Sequence, residues 1–345
     1  MKYYSFTESP IEICGLDVID PAGKRFWRLA DEDAAPVSEA VRGRSKTACG
    51  GRVRFRTNAK AIKIKISVHT LGVDLCIPLP GSAGLDVYTG TGIGAMYRGY
   101  VCPLNYAEEN KTQEKEIYLQ PENKEPKMME VTLNLPRNEQ LAGVEIGIPE
   151  DSEILPPLPF ASEEKILYYG SSITEGGCAS RPGNAYTAMT ARWLDCDYQN
   201  LGFSGIARGE EAMAHLIAGK DCTIFVMDYD HNAPDAMHLE ATHEPFYKIV
   251  RAARPELPII MMSKPDFDSD PAGNAKRRDV IYRTYINARM AGDENVYFLN
   301  GETFFGTMGR DACTIDNCHP TDMGFYRMAE QVYHVIQSIL LKKNG

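Results

Sequence analysis

The rhythm of apolar residues changes once along this chain, near residue 150, and that change restricts the fold more than any other feature. From about Arg52 to Pro149, apolar and polar residues alternate with period two. Arg52-Val-Arg-Phe-Arg56 and Ala61-Ile-Lys-Ile-Lys-Ile-Ser-Val68 show it most plainly. Lys115–Leu119, Met129–Leu135 and Val144–Ile148 follow, with turn-rich pieces at Pro80–Gly84 and Gly90–Gly94 between the runs. Alternation places one face of each strand in a core and the other in solvent. Many short strands without helices predict a β-sandwich, jelly-roll-like, over residues 1–155.

After a proline-rich, acidic stretch at 149–163, which reads as a linker, the pattern becomes strand–helix–strand. Apolar strand candidates are Ile166–Tyr169, Asp197–Asn200, Thr223–Met227, Ile259–Met262 and Val296–Leu299. Helix-length segments are Ala185–Leu194, Glu210–Ala218, Pro245–Ala253, Ala275–Met290 and Thr321–Leu341. Such alternation predicts an α/β domain over 156–345, with a parallel sheet between helix layers. In such sheets ligands bind at the carboxyl ends of the strands.

Length and composition bound the function. At 345 residues the chain exceeds one typical core. A formal charge of −10 and a pI near 5.3 argue against binding nucleic acid or an anionic membrane through bulk charge. No apolar run approaches the about 18 residues of a membrane span. Residues 1–8 contain no secretory core, so a cytoplasmic location is expected. Nine cysteines without a CxxC pair suggest reduced thiols. The Cys313–Cys318 pair is the closest in sequence.

Two short stretches carry the chemistry. Gly170-Ser171-Ser172-Ile173-Thr174 follows the first apolar strand of the second half, and Asp316-Asn317-Cys318-His319-Pro320 precedes the last helix. Together they offer a nucleophile, a carboxylate and an imidazole in the order Ser…Asp…His, the parts of a serine hydrolase. Either stretch alone is common as an ordinary turn.

The same residues resemble the blocks of the SGNH (GDSL-like) hydrolases over roughly 164–342. Gly170-Ser171-Ser172-Ile173-Thr174 resembles the Gly-Asp-Ser-Leu-Thr block, with Ser171 in place of Asp. Asn200-Leu-Gly202-Phe-Ser-Gly205 resembles the second block. Asp228-Tyr-Asp-His231-Asn232-Ala233 is a less faithful third, and Asp316-x-x-His319-Pro320 matches the last. The resemblance implies a flavodoxin-like SGNH domain and a Ser172–His319–Asp316 triad. It also implies an oxyanion hole from the Ser172 N–H, the Gly205 N–H and the Asn232 amide. His319 would act as general base and then general acid, and Asp316 would orient it. In the first half, Gly84-Leu85-Asp86-Val87-Tyr88 resembles a Gly-x-Asp-Leu-Tyr motif of a β-domain that precedes some of these hydrolases. An interface role is the expectation there, with Asp86 and Tyr88 also candidates for the substrate pocket.

His231, Glu175 and Arg181 complete the candidate pocket residues. His215, His238, His243 and His334 show no metal-ligand spacing, so neither a metal nor an organic cofactor is expected. The implied activity is hydrolysis of short acyl esters, acetyl esters of carbohydrates above all. Alternatives are a broad short-chain esterase or thioesterase, an acyltransferase, and a non-catalytic carbohydrate-binding protein. The expected partner is a small-molecule or oligosaccharide ester, with a homo-oligomer through a β-domain edge left open.

Overall fold

The computed structural model describes residues 1–344. The first half forms two main antiparallel sheets and a small hairpin, Val18–Asp20 with Arg25–Trp27. One has the order Lys2–Ser5, Leu141–Ile148, Ala61–Val68, Thr112–Tyr118; the other runs Ile154–Leu155, Arg52–Thr57, Met129–Asn134, Leu85–Thr89, Met96–Val101. Their inward faces share one core. Ile62, Ile64 and Ile66 from the first sheet meet Val53, Phe55, Val87, Val131 and Leu133 from the second. The period-two runs form strands as expected, because alternation buries one face against the opposing sheet. Strands without that signature escaped notice: Lys2–Ser5 and Met96–Val101 sit at sheet edges and keep much of their surface exposed.

The second half carries five parallel strands in the order Asp197–Gly202, Lys165–Gly170, Ile224–Asp228, Ile259–Met262, Val296–Leu299. Two buried clusters, one on each face, fix the helices against it. The helix predicted from Pro245 begins at Ala236 and runs to Ala253 with the proline inside. Asp235 starts it by accepting the His238 N–H at 2.8 Å, a cap that outweighs the proline as a start signal.

The 149–163 segment is not a free linker. Ile154–Leu155 pairs with the Arg52–Thr57 strand. The Leu158 N–H donates to Glu130 at 2.8 Å, and Arg54 donates to the Leu158 carbonyl at 2.9 Å while stacking on Phe160. All nine cysteines are free thiols. No helix among the described residues is long and apolar enough to cross a membrane.

Candidate active site

Every strand of the parallel sheet ends in a loop that contributes to one region. Lys165–Gly170 delivers Ser172 on a four-residue helix, Ser172–Glu175. The serine pair is sorted by helix capping. Ser171 is the N-cap: its Oγ accepts the Ile173 N–H at 3.1 Å, and its own N–H donates to Thr174 Oγ1 at 3.0 Å. This turns Ser171 into the helix end and leaves the Ser172 hydroxyl to face His319. The helix lies hard against the sheet. A Cβ at Gly170 would meet Thr174 Oγ1 at 2.0 Å and the Asp228 carbonyl at 2.4 Å; one at Gly202 would meet the Glu175 nitrogen at 2.4 Å. Only glycine permits that approach.

Asp316 and His319 sit in a short hairpin closed by the Ile315 N–H to His319 carbonyl and Thr321 N–H to Cys313 carbonyl bonds. Asp316 divides its oxygens between two tasks. Oδ1 accepts the backbone N–H of Cys318 (3.1 Å) and His319 (2.7 Å), and Oδ2 accepts from His319 Nδ1 at 2.8 Å. The three-residue spacing is what lets one carboxylate both close the turn and hold the ring. Asn317 takes a left-handed φ of 62° to complete it. On the far side of the ring, His319 Nε2 lies 3.0 Å from Ser172 Oγ. Partial burial pushes the Asp316 carboxyl up, but the His319 ring and backbone donors outweigh it and hold the group below the usual carboxylate range. Asp322 joins the two loops: it accepts from the Ser180 N–H and the Asn184 amide, both at 2.8 Å.

Gly205 follows the Asp197–Gly202 strand with φ +77°. The Asn232 carboxamide lies beside it. Its two ends lie 3.2 Å from the Gly205 nitrogen and the Phe203 carbonyl oxygen, and turning the amide exchanges which end faces which. The two expected oxyanion donors are thus neighbours.

Three pocket candidates require correction. Glu175 has no access to a ligand: its side chain is 1% exposed and pairs at 3.1 Å with Arg28 of the first half, itself fully buried. Asp86 is likewise enclosed, accepting from Asn134 (2.7 Å) and the Gly183 N–H (2.9 Å), with Arg181 at 3.3 Å. Tyr88 is buried beside it, bonded to Arg181 and stacked under Arg192. The Gly84–Tyr88 motif therefore fastens the sandwich to the loop after Ser172. The cavity at this seam, lined by Arg52, Tyr88, Arg192 and Tyr198 among others, offers about 50 Å³, too little for a sugar. Arg181 retains partial exposure over Tyr97.

His231 was expected only to shape the pocket. It lies in the 3₁₀ turn Asp230–Asn232, with its ring 6.2 Å from that of His319. Its Nε2 meets the Cys318 thiol at 3.2 Å, and its Nδ1 faces Asp266 at 3.3 Å. Burial pushes the Cys318 thiol up to about 12. His243 is buried against Tyr229 and Thr284, and burial pushes its pKa down to about 3. An open groove of about 600 Å³ flanks the Asp316–His319 hairpin, lined by Leu75, Ile77 and Tyr106 from the sandwich and by Cys178, Ile315 and Met323 from the second half. Those sandwich residues carried no signal in the sequence.

Residues 163–337 match the GDSL-like Lipase/Acylhydrolase family. The chain belongs to that family. Residues 1–154 match the N-terminus of Esterase_SGNH_hydro-type, the GxDLY family. No curated protein matches the chain in sequence. Among solved structures, it is similar to a candidate GDSL-like lipase from Bacteroides ovatus ATCC 8483, at 26% identity and TM-score 0.84, over 98% of both chains. It shares its fold with the salicylyl-acyltransferase SsfX3 of a tetracycline biosynthetic pathway (22% identity, TM-score 0.76, 98% of this chain and 97% of that one). The same holds for the acetyl xylan esterase Est2A from Butyrivibrio proteoclasticus (14% identity, TM-score 0.61, 98% of both). The GDSL-like family and this two-part fold place the chain among ester hydrolases.

Proposed function

We propose that this protein is a serine esterase acting on short acyl esters, acetyl esters of carbohydrates foremost, through an acyl-enzyme on Ser172. The observation that carries the reading is the unbroken chain Ser172 Oγ–His319 Nε2 (3.0 Å) and His319 Nδ1–Asp316 Oδ2 (2.8 Å). His319 takes the Ser172 proton as Oγ attacks the ester carbonyl, and then gives it to the departing alcohol. Water, deprotonated by the same ring, releases the acid and restores Ser172. Asp316, kept ionised, stabilises the imidazolium between these steps.

The tetrahedral oxyanion would be held by the Ser172 N–H, the Gly205 N–H and Asn232. For this the Asn232 amide presents Nδ2 on the Gly205 side, beside the Gly205 N–H. Losing one such donor typically costs about 10²–10³ in rate. The groove shared by both halves is the natural place for the alcohol or acyl portion. Nine free thiols suit a reducing, intracellular setting. A transferase reading, with an alcohol replacing water, draws support from the fold shared with the salicylyl-acyltransferase.

The test is acetate release from acetylated oligosaccharides and from a chromogenic short-chain ester, by wild type and by Ser172→Ala. Release by wild type alone supports the esterase. Equal release by both would remove Ser172 from the mechanism. Release only when an acceptor alcohol is added would favour the transferase.

A further inference from the structure

Beside the triad lies a second Cys–His–Asp chain that the esterase reaction does not use. Cys318 Sγ and His231 Nε2 stand 3.2 Å apart. Behind the ring, His231 Nδ1 faces Asp266 Oδ1 at 3.3 Å, and neither of these atoms has a hydrogen-bond partner. The Asp266 side chain is only 3% exposed. It is thus an unpartnered buried carboxylate oxygen aimed at an imidazole whose other nitrogen meets a thiol.

We propose that Cys318 and His231 bind a thiophilic divalent cation of the zinc class, and that its binding switches off the triad. Four features of the geometry support this. A thiolate and an imidazole are the ligand pair such ions prefer. Two ligands at tetrahedral angles around one zinc ion lie about 3.5 Å apart, so 3.2 Å needs only a small opening. A carboxylate behind the second ring nitrogen is the usual support of a metal-bound histidine: it fixes the tautomer and raises the basicity of the ligating atom. Asp266 stands at that place, 3.3 Å from Nδ1, and a small turn of the ring on binding the ion would complete the bond. Finally, Cys318 is shared between two groups of possible ligands whose donor atoms lie within 4.8 Å of one another, one with His231 and Asp266 and one with Asp316 and His319, so Asp316 stands close to the thiolate end of the site.

The binding step balances simply. The ion displaces the Cys318 thiol proton to solvent, and thiolate sulfur and His231 Nε2 each donate a lone pair to the metal, with no redox change. The link to catalysis is Asp316. A cation on Cys318 attracts that carboxylate, and an Asp316 oxygen drawn to the metal is lost to His319. The ring is then no longer held toward Ser172.

The experiment uses the full chain with Co²⁺ and Zn²⁺ as probes. Co²⁺ added to wild type should give a thiolate-to-cobalt charge-transfer band that Cys318→Ala lacks and His231→Gln weakens. Asp266→Asn should loosen Co²⁺ about 10–100-fold, as loss of an outer partner does elsewhere. Each protein's ester hydrolysis is then compared with and without Zn²⁺, and again after chelator. Zinc should inhibit wild type reversibly and leave Cys318→Ala at its own metal-free rate. No charge-transfer band in folded wild type overturns the site. Equal zinc inhibition of Cys318→Ala overturns the link to the triad. The absorption band is read whether or not a good ester is known, so failure of the esterase reading leaves this test intact.

Discussion

On one side of the Ser172–Glu175 turn, His319 and Asp316 keep about a third of their side-chain surface in solvent (28% and 32%). On the other side, Glu175 and Arg28 have lost essentially all of theirs. Both sides are built around a carboxylate and a cationic or cation-forming partner, yet they serve opposite ends. In the proposed reaction the front must pass a proton and admit an ester. The back must not move: Arg28 also donates to the Gly202 and Arg44 carbonyls and stacks on Phe203, while Cys49 donates to the Glu175 carbonyl. The catalytic turn is thus braced from behind by residues of the sandwich half. A buried ion pair is weak evidence for stability, but breaking one strands a charge.

If front and back are separable, substitutions on each should move different observables. Ser172→Ala should abolish turnover, a loss on the order of 10⁶, with thermal unfolding unchanged. Should Ser171→Ala be the inactive variant, the capping assignment is wrong. Asp316→Asn should lower kcat by about 10⁴, the scale seen when an orienting carboxylate is replaced by an amide that reverses the tautomer. Its hairpin should persist, because an amide oxygen can still accept the Cys318 and His319 N–H groups. A kcat within tenfold of wild type would show that Asp316 is a turn residue only.

At the back, Arg28→Met should cost about 3–5 kcal/mol in denaturant unfolding by leaving Glu175 buried and unpaired. Replacing both, Arg28→Met with Glu175→Leu, should recover much of that loss. If the single change costs under 1 kcal/mol, solvent reaches this seam and the sandwich is not bracing the turn.

The front was legible in the sequence and the back was not, for a physical reason. Asp316 and His319 are three residues apart and Ser172 follows an apolar strand, so local chemistry betrays them. Arg28 lies 147 residues from Glu175, in a stretch with no pattern of its own, and only the packing of one half on the other joins them. The same holds for His231 and Cys318, 87 residues apart. Asp86 was legible as a motif, but a motif does not say which way a side chain faces. Enclosure by Asn134, Gly183 and Arg181 settles it as an anchor. The inner parallel strands Ile224–Asp228 and Ile259–Met262 were read almost to the residue because both their faces are buried and the runs are nearly all apolar. Edge strands such as Met96–Val101 lack that uniformity.

Smaller changes probe the platform between the two sides. Ser171→Ala removes a side-chain cap and should cost about 1 kcal/mol, with turnover reduced at most severalfold.

Asp228 offers a test that depends on pH. It is fully enclosed at the end of its strand, and one oxygen accepts from both Thr174 Oγ1 and Tyr186 OH at 2.8 Å. Burial, only partly offset by those two donors, pushes its pKa from 3.8 up to about 7. The fold therefore prefers the protonated carboxyl. The stability this group contributes is present below pH 4 and is lost as pH rises through 7, on the order of a kcal/mol per pH unit between them. Asp228→Asn keeps an oxygen for both hydroxyls and cannot ionise. Relative to wild type, it should be near neutral at pH 4 and progressively more stable toward pH 8 in denaturant unfolding. A stability difference that does not change with pH would mean that Asp228 is ionised within the fold, and that the platform beneath Thr174 carries a charge.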